Sequence, residues 1–300
     1  MILSKIMISA NKPVRPFLKW AGGKRQLVPA LVASHLPKEY DTSYNSYYEP
    51  FIGGGALLFT LQPKKAVIND INTELINCYK VIKNSVNELI DDLKKHENEK
   101  NYFYAIREWD RNKDYKDKTP VQRASRIIFL NKTCYNGLFR VNSQGQFNVP
   151  FGKYKKPNIL DVDVLKAVNQ YLNENQVEIL NLDFKEAVKD AKRGDFIYFD
   201  PPYDPVSDSA DFTGYDISGF RREEQIRLKK TFDDLSLRGC KVLLSNAHTN
   251  FIMDLYSDYN RTKISAIRAI NSNVSKRGKV DEILVKNYNL QKSRLLLITE

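Results

Sequence analysis

The chain has 300 residues, 42% hydrophobic and 28% charged, without low-complexity or proline-rich tracts. That is enough for one large domain or a core with an inserted subdomain, and it excludes a disordered or fibrous chain. Lys and Arg exceed Asp and Glu by 47 − 36 = +11, a surplus that suits a polyanionic partner such as nucleic acid and suits a solubilising surface equally.

Cys78, Cys134 and Cys240 are scattered without a CxxC pair, and His35, His96 and His248 stand alone. Neither a disulfide framework nor a metal site is expected. The opening MILSKIMISANK is too short and interrupted to span a bilayer and lacks a signal-peptide cleavage pattern. A reduced, cytoplasmic setting with no membrane partner follows.

FLKWAGGK (17–24) leads into a predicted helix at about 26–35. Its Gly-Gly turn offers backbone amides to an anion. It is not a phosphate loop, because Leu18 replaces the first Gly of GxxxxGK[ST] and Arg25 replaces the magnesium-binding Ser or Thr. YYEPFIGGG (47–55) reads as a strand running into a glycine-rich turn, and ALLF (56–59) opens a helix. AVIND (66–70) is a second strand ending in an acid, placed to accept both hydroxyls of a ribose. Asn72 can cap the helix at 74–83. Leu58 stands where the third Gly of GxGxxG belongs, which counts against a dinucleotide fold, while turn plus acid favours an adenosine-bearing cofactor.

From about 85 to 157 the strand–helix rhythm breaks. Helical patterns occupy 88–96, 102–109 and 121–132, followed by the aromatic and basic passage 135–154. There Ser143-Gln144-Gly145 between alternating arms predicts a β-hairpin, which fits a groove reader and a solvated surface hairpin equally. The rhythm resumes with a helix at 163–173, a strand at 177–180, the polar tip Asn181-Leu182-Asp183-Phe184 and a helix at 185–192. Next is DFIYFDPPY (195–203), whose Phe196 to Phe199 form a buried strand that the prolines stop, leaving Asp200 at its carboxyl end. A helix at 222–237, a strand at 240–245, a helix at 249–256 and an antiparallel pair at 262–267 and 282–286, joined by a basic loop, complete the chain. The fold class is α/β, a doubly wound sheet with a terminal antiparallel hairpin and a mostly helical insert.

Three acids, Asp70, Asp183 and Asp200, thus sit at strand ends without a nucleophile, metal cluster or His–carboxylate relay. Methyl transfer from a sulfonium donor fits, since that chemistry mainly needs donor and acceptor aligned. An amino group on a purine is a poor nucleophile. Asp200 and the Pro201 carbonyl can accept its two N–H bonds as charge develops, and Tyr203 offers a face for the base.

FLKWAGGK, EPFIGGGALLF, VINDIN, YNGLFRVNSQGQFNVPFGKYKKP, NLDF and DPPY, in this order from Pro16 to about Tyr288, resemble the Dam-type DNA adenine methyltransferases of the alpha class. The resemblance implies a Rossmann-like methyltransferase domain (1–84 and 158–300) and an inserted DNA-recognition domain (85–157). It implies S-adenosylmethionine as methyl donor, no metal, and a flipped adenine in double-stranded DNA, within GATC, as acceptor. By position, Trp20, Lys24, Phe51, Gly53, Asp70, Asp183, Phe184 and Asp200 would bind the cofactor. Asp200, Pro201 and Tyr203 would serve the target base. Lys19, Tyr135, Asn136, Leu138, Arg140 and Pro150 would meet DNA, with Arg140 the guanine reader. Phe139 departs from the pattern, and the 207–219 loop is assigned no specific contact. A bacterial or phage-encoded monomer is expected, with a cognate restriction endonuclease as an indirect partner. The alternatives are an RNA or other amino-group methyltransferase, a DNA-binding protein that has lost catalysis (against which Asp200 and Tyr203 are intact) and, last, a nicotinamide dehydrogenase.

Overall fold

The computed structural model describes residues 14–20, 28–37, 45–205, 220–267 and 279–289. Seven strands form one sheet: β1 (Tyr47–Glu49), β2 (Lys65–Asn69), β3 (Gln176–Leu180), β4 (Phe196–Phe199), β5 (Lys241–Ala247), β6 (Asn260–Ile267) and β7 (Lys279–Lys286). Their order is β3-β2-β1-β4-β5-β7-β6. Strands β1 to β5 run parallel, and β7 is antiparallel to both β5 and β6. The chain winds outward from β1 to β3, then returns to lay β4 against β1, pairing Tyr47 with Phe196 and Tyr48 with Ile197. Successive connections leave β1 and β4 in opposite directions, which opens a crevice at their carboxyl ends. β7 starts at that same edge, with Glu282 opposite Ala247.

All four residues of β4 are buried, as a central parallel strand covered on both faces requires. Phe196 and Tyr198 pack into one core with α2 (Ala56–Leu61), α3 (Thr73–Asn84) and α7 (Val162–Glu174). Ile197 and Phe199 point into the other, with α9 (Arg222–Leu237). Two predicted ends hold: Asn72 caps α3 through the Leu75 N–H (2.9 Å), and α9 spans the expected residues. α1 covers Val28–Ser34, and α10 covers Asn250–Leu255. The helix expected at 185–192 is cut to α8 (Phe184–Ala187). The Asp195 carboxylate accepts the N–H groups of Lys192 (2.9 Å) and Ser46 (3.0 Å), closing a turn where the helix would have continued.

Between α3 and α7 lie α4 (Val86–Leu93), α5 (Lys100–Arg107) and α6 (Pro120–Thr133), the first two displaced by about two residues from their predicted positions. α6 starts at a Thr119–Gln122 capping box with Pro120 in its first turn. Ala124, Ile127 and Ile128 pack into the sheet-side core. Phe129 and Leu130 join a separate cluster with Phe103, Ile106, Cys134, Phe147 and Val149. Burial of each large aromatic there contributes roughly 1.5–3 kcal/mol. The predicted hairpin exists in a looser form, with isolated bridges Val141–Phe147 and Cys134–Phe151 in place of a continuous ladder. Its tip is closed by Asn142, whose side chain accepts from the N–H groups of Gln144 (3.0 Å) and Gln146 (2.9 Å) and so competes with ladder pairing.

His96 lies inside this insert, stacked on Phe129 (4.4 Å) with Tyr102 Oη and Ser125 Oγ each 3.0 Å from a ring nitrogen. Burial pushes the imidazole down to about 4, against the Asp92 charge. The unfolded chain therefore takes up this proton first on acidification. Stability should be unaffected above pH ~6.5 and fall, by on the order of 3 kcal/mol, as pH drops towards 4. Urea melts at several pH values should show that loss in the wild type and a shallower one in His96→Gln.

Candidate active site at the sheet switch point

The glycine-rich turn is tied to the tip of β2. Asp70 Oδ2 accepts the Gly53 N–H (3.1 Å) and Oδ1 accepts the Asn72 N–H (2.9 Å). The carboxyl group is enclosed although the residue keeps an exposed edge, and burial pushes it up to about 6 despite those two bonds. Asn69, fully buried, fastens the loops together by donating to the carbonyls of Pro50 and Leu182 (both 3.0 Å) and accepting the Leu182 N–H (2.8 Å). Gly53 has φ +47°, and a Cβ there would lie 2.8 Å from the Trp20 indole, so only glycine lets the ring lie on the turn. Trp20 also stacks on Phe139 at 4.9 Å, which gives the departing residue Phe139 a structural partner.

Asp200 follows β4 directly and is partly exposed, with Pro201 buried behind it. At the end of neighbouring β1, Glu49 is buried and accepts the Tyr47 hydroxyl hydrogen (2.7 Å). Burial pushes the Glu49 carboxyl up to about 8, against the Tyr47 bond and with the Asp200 charge adding to the rise. Beyond Asp200 the segment is held from outside. The Pro202 carbonyl accepts from Gln225 (2.8 Å), the Asp204 N–H donates to Asn246 (3.1 Å), and the Tyr203 hydroxyl donates to Glu282 (2.9 Å).

Asp183 caps α8 through the Lys185 N–H (3.0 Å) and takes a bidentate ion pair from Arg227 (2.8 and 2.6 Å). The Arg227 guanidinium holds the Asp183 carboxyl below the usual carboxylate range and lies 4.2 Å over the Phe184 ring. Both partners are more than a third exposed, so the pair adds only about 0–1 kcal/mol to stability. Phe51, Phe184 and Phe220 form an aromatic cluster with centroids 5.5–5.9 Å apart.

The residues expected to meet DNA gather beside this edge. Asn131 Oδ1 accepts the Lys19 N–H (2.9 Å), and its Nδ2 donates to the carbonyls of Lys19 (2.7 Å) and Gly137 (2.9 Å). Tyr135, exposed, donates its N–H to the Pro150 carbonyl (2.8 Å) and accepts the Leu138 N–H at its own carbonyl (3.3 Å). Lys19, Tyr135, Asn136, Leu138 and Pro150 therefore share one small region. Asn136 has φ +56°, a left-handed conformation that asparagine tolerates. Arg140 projects from the hairpin, its Nε donating to Asn148 Oδ1 (2.7 Å). Lys24, expected at the cofactor, and the 207–219 loop lie outside the described residues.

Sequence reading passed over Glu49, Arg227, Gln225, Asn246 and Glu282. Glu49 was legible as an acid ending an apolar strand, whereas the others join the site only through contacts distant in sequence. Two cavities among the described residues, of about 390 Å³ and 360 Å³, lie elsewhere, at the amino-terminal edge of β1–β3 and between residues 14–16, α1 and α2. Among the described residues no group of three or more His, Cys, Asp or Glu side chains is placed to hold a metal ion, and no helix is long and apolar enough to cross a membrane.

The model of a family described as D12 class N6 adenine-specific DNA methyltransferase matches residues 20–270. The type II methyltransferase M1.LlaDCHI of Lactococcus lactis subsp. cremoris is 47% identical over 285 residues, covering 94% of this chain and 99% of the relative. The type II methyltransferase M.MjaIII of Methanocaldococcus jannaschii is 43% identical, covering 92% and 99%. The DNA adenine methylase of Escherichia coli K12 is 33% identical, covering 91% and 95%. A strand order with its switch between β1 and β4, the acids at that edge and these similarities agree: the chain belongs to the D12 class N6 adenine-specific DNA methyltransferase family.

Proposed function

We propose that this enzyme methylates the 6-amino group of an adenine rotated out of double-stranded DNA, within the sequence GATC. The observation that carries the reading is the seat of Asp200 and Pro201 at the end of β4, beside the glycine turn and Asp70. S-adenosylmethionine, the donor that the family implies, supplies a methyl group on positively charged sulfur. The residues present fit it. Each Asp70 oxygen accepts one backbone N–H and keeps a second lone pair for a ribose hydroxyl. Gly53 permits close backbone approach, with Trp20 on one side, and Phe51 and Phe184 offer flat apolar faces near Asp183 for an adenine. Lys24 completes this set by its place in the sequence.

On the acceptor side, the Asp200 carboxylate and Pro201 carbonyl take the two N–H bonds of the adenine amino group, favouring a pyramidal nitrogen whose lone pair is free to bond to carbon. As the N–C bond forms, the bond from the methyl carbon to sulfur would break with its electron pair left on sulfur as a neutral thioether, and one of those protons would pass by way of the Asp200 carboxylate to solvent water. Tyr203 stacks on the base. The insert 85–157 reads the DNA, with Lys19, Tyr135, Asn136, Leu138 and Pro150 at the recognition sequence or its phosphates and Arg140 on a guanine. Arg140→Ala should lose about 1–3 kcal/mol of discrimination at one base pair. Binding measured on oligonucleotides with single substitutions checks this, and uniform weakening on all of them would make Arg140 a phosphate contact only. The type II names of two relatives support work beside a cognate restriction endonuclease, without direct contact. One recognition hairpin per chain suits a cytoplasmic monomer.

Labelled S-adenosylmethionine offered with duplexes differing only at GATC, and in parallel with structured RNA, tests the reading. Label confined to the GATC duplex is expected. Preference for RNA, or equal labelling without GATC, overturns it.

A further inference from the structure

Gln225 of α9 and Asn246 of β5 are 1% and 0% exposed. They form a run of hydrogen bonds that begins on Pro202 of DPPY and ends on Asp204, the residue that follows it. Gln225 Nε2 donates to the Pro202 carbonyl (2.8 Å), Gln225 Oε1 accepts from Asn246 Nδ2 (3.0 Å), and Asn246 Oδ1 accepts the Asp204 N–H (3.1 Å). The peptide groups on both sides of Tyr203 are thereby fixed, one through its carbonyl and the other through its N–H. Each amide must give a hydrogen at one end and take one at the other, so turning either over would set like against like. The Tyr203 hydroxyl, bonded to Glu282, restrains the far end of the ring (2.9 Å).

A buried polar network returns little stability over apolar packing of the same volume; what it can return is one defined conformation. Here that conformation belongs to the loop next to Asp200. We propose that Gln225 is a positioning residue for methyl transfer: acting through the Pro202 carbonyl and Asn246, it holds Tyr203 and the adjoining Pro201 carbonyl where the adenine is received. This rests on the reading of that loop as the adenine site. Misplacement by about 1 Å costs on the order of 100-fold in rate. Of the residues assigned to the donor, Trp20, Phe51, Gly53, Asp70, Asp183 and Phe184 make none of these hydrogen bonds, and Asp200 precedes the two peptide groups they fix, so donor affinity should not change.

The test uses the full-length enzyme with Gln225→Glu, which keeps the acceptor toward Asn246 but sets a carboxylate oxygen against the Pro202 carbonyl, and with Gln225→Met, which removes both bonds. Single-turnover methyl transfer to duplex DNA is measured at saturating S-adenosylmethionine and normalised to the donor-binding fraction, so partial unfolding does not enter. Both variants should transfer about 100-fold more slowly with an unchanged donor Kd. Wild-type rates in both, or loss of donor affinity in step with rate, would overturn the positioning role. Tyr203→Ala separates the two ideas: a slow Tyr203→Ala beside normal Gln225 variants removes only the positioning role, whereas a normal Tyr203→Ala removes the reading of the loop itself.

Discussion

Asp200→Ala is expected to slow methyl transfer at least 10²–10³-fold, about 2.7–4 kcal/mol of transition-state stabilisation, while leaving the fold intact. On the proposed reading, loss of the carboxylate removes an acceptor needed as charge grows on the adenine nitrogen. Burial is the main cause of the raised Glu49 carboxyl, but the variant also removes the Asp200 charge that adds to the rise, so Glu49 should ionise somewhat more readily. Asp200→Asn keeps the shape with half the acceptor capacity and should be nearly as slow. Single-turnover rates together with urea melts check both halves. Near-normal turnover in Asp200→Ala would rule out the role assigned to this carboxylate.

The second large effect lies in the insert. Arg126 is buried, pairs with Asp110 Oδ2 (2.7 Å) and donates to the carbonyls of Ile106 (2.9 Å) and Arg107 (2.7 Å). Asp110 Oδ2 in turn accepts the Phe147 N–H (2.8 Å), so the pair fastens one arm of the hairpin to α5 and α6. Arg126→Ala takes one donor from each of two carbonyls, of which that of Arg107 keeps Arg111 Nη1 (3.1 Å), and removes one of two cations from the largely enclosed Asp110 carboxylate; about 3–5 kcal/mol of stability should be lost. Denaturant unfolding of the two proteins measures it, and a loss below about 1 kcal/mol would mean that Arg111, which also pairs with Asp110 (2.6 Å), suffices alone. Sequence discrimination should weaken along with stability, because the arm carrying Asn148, the partner of Arg140, loses its anchor.

Much of the sheet was legible in the sequence because its strands are short apolar runs closed by prolines, glycines or acids. Pro201 and Pro202 ended β4, the three glycines marked the turn after β1, and Asp70 followed β2. The antiparallel pair of β6 and β7 was legible from its β-branched residues. Less was legible where partners are remote. Nothing near Asp183 announces Arg227, 44 residues away, and nothing near Tyr203 announces Glu282, 79 residues away. The helix expected at 185–192 runs only to Ala187: Val188 and Lys189 bond three residues back, to the Lys185 and Glu186 carbonyls, in place of four, and Asp195, itself read only as the start of a strand, takes the Lys192 amide. The hairpin arms failed as regular strands because Asn142 turns its side chain back on its own backbone.

Asn131 carries a consequence for how the two halves of the task communicate. Its single amide grips the main chain of Lys19 on one side and the Gly137 carbonyl on the other. Trp20, the next residue, lies on Gly53. On the proposed assignment, a shift of the Tyr135–Gly137 turn on meeting a base pair would pass through Asn131, Lys19 and Trp20 to the glycine turn at the donor site, like a crank on a common axle.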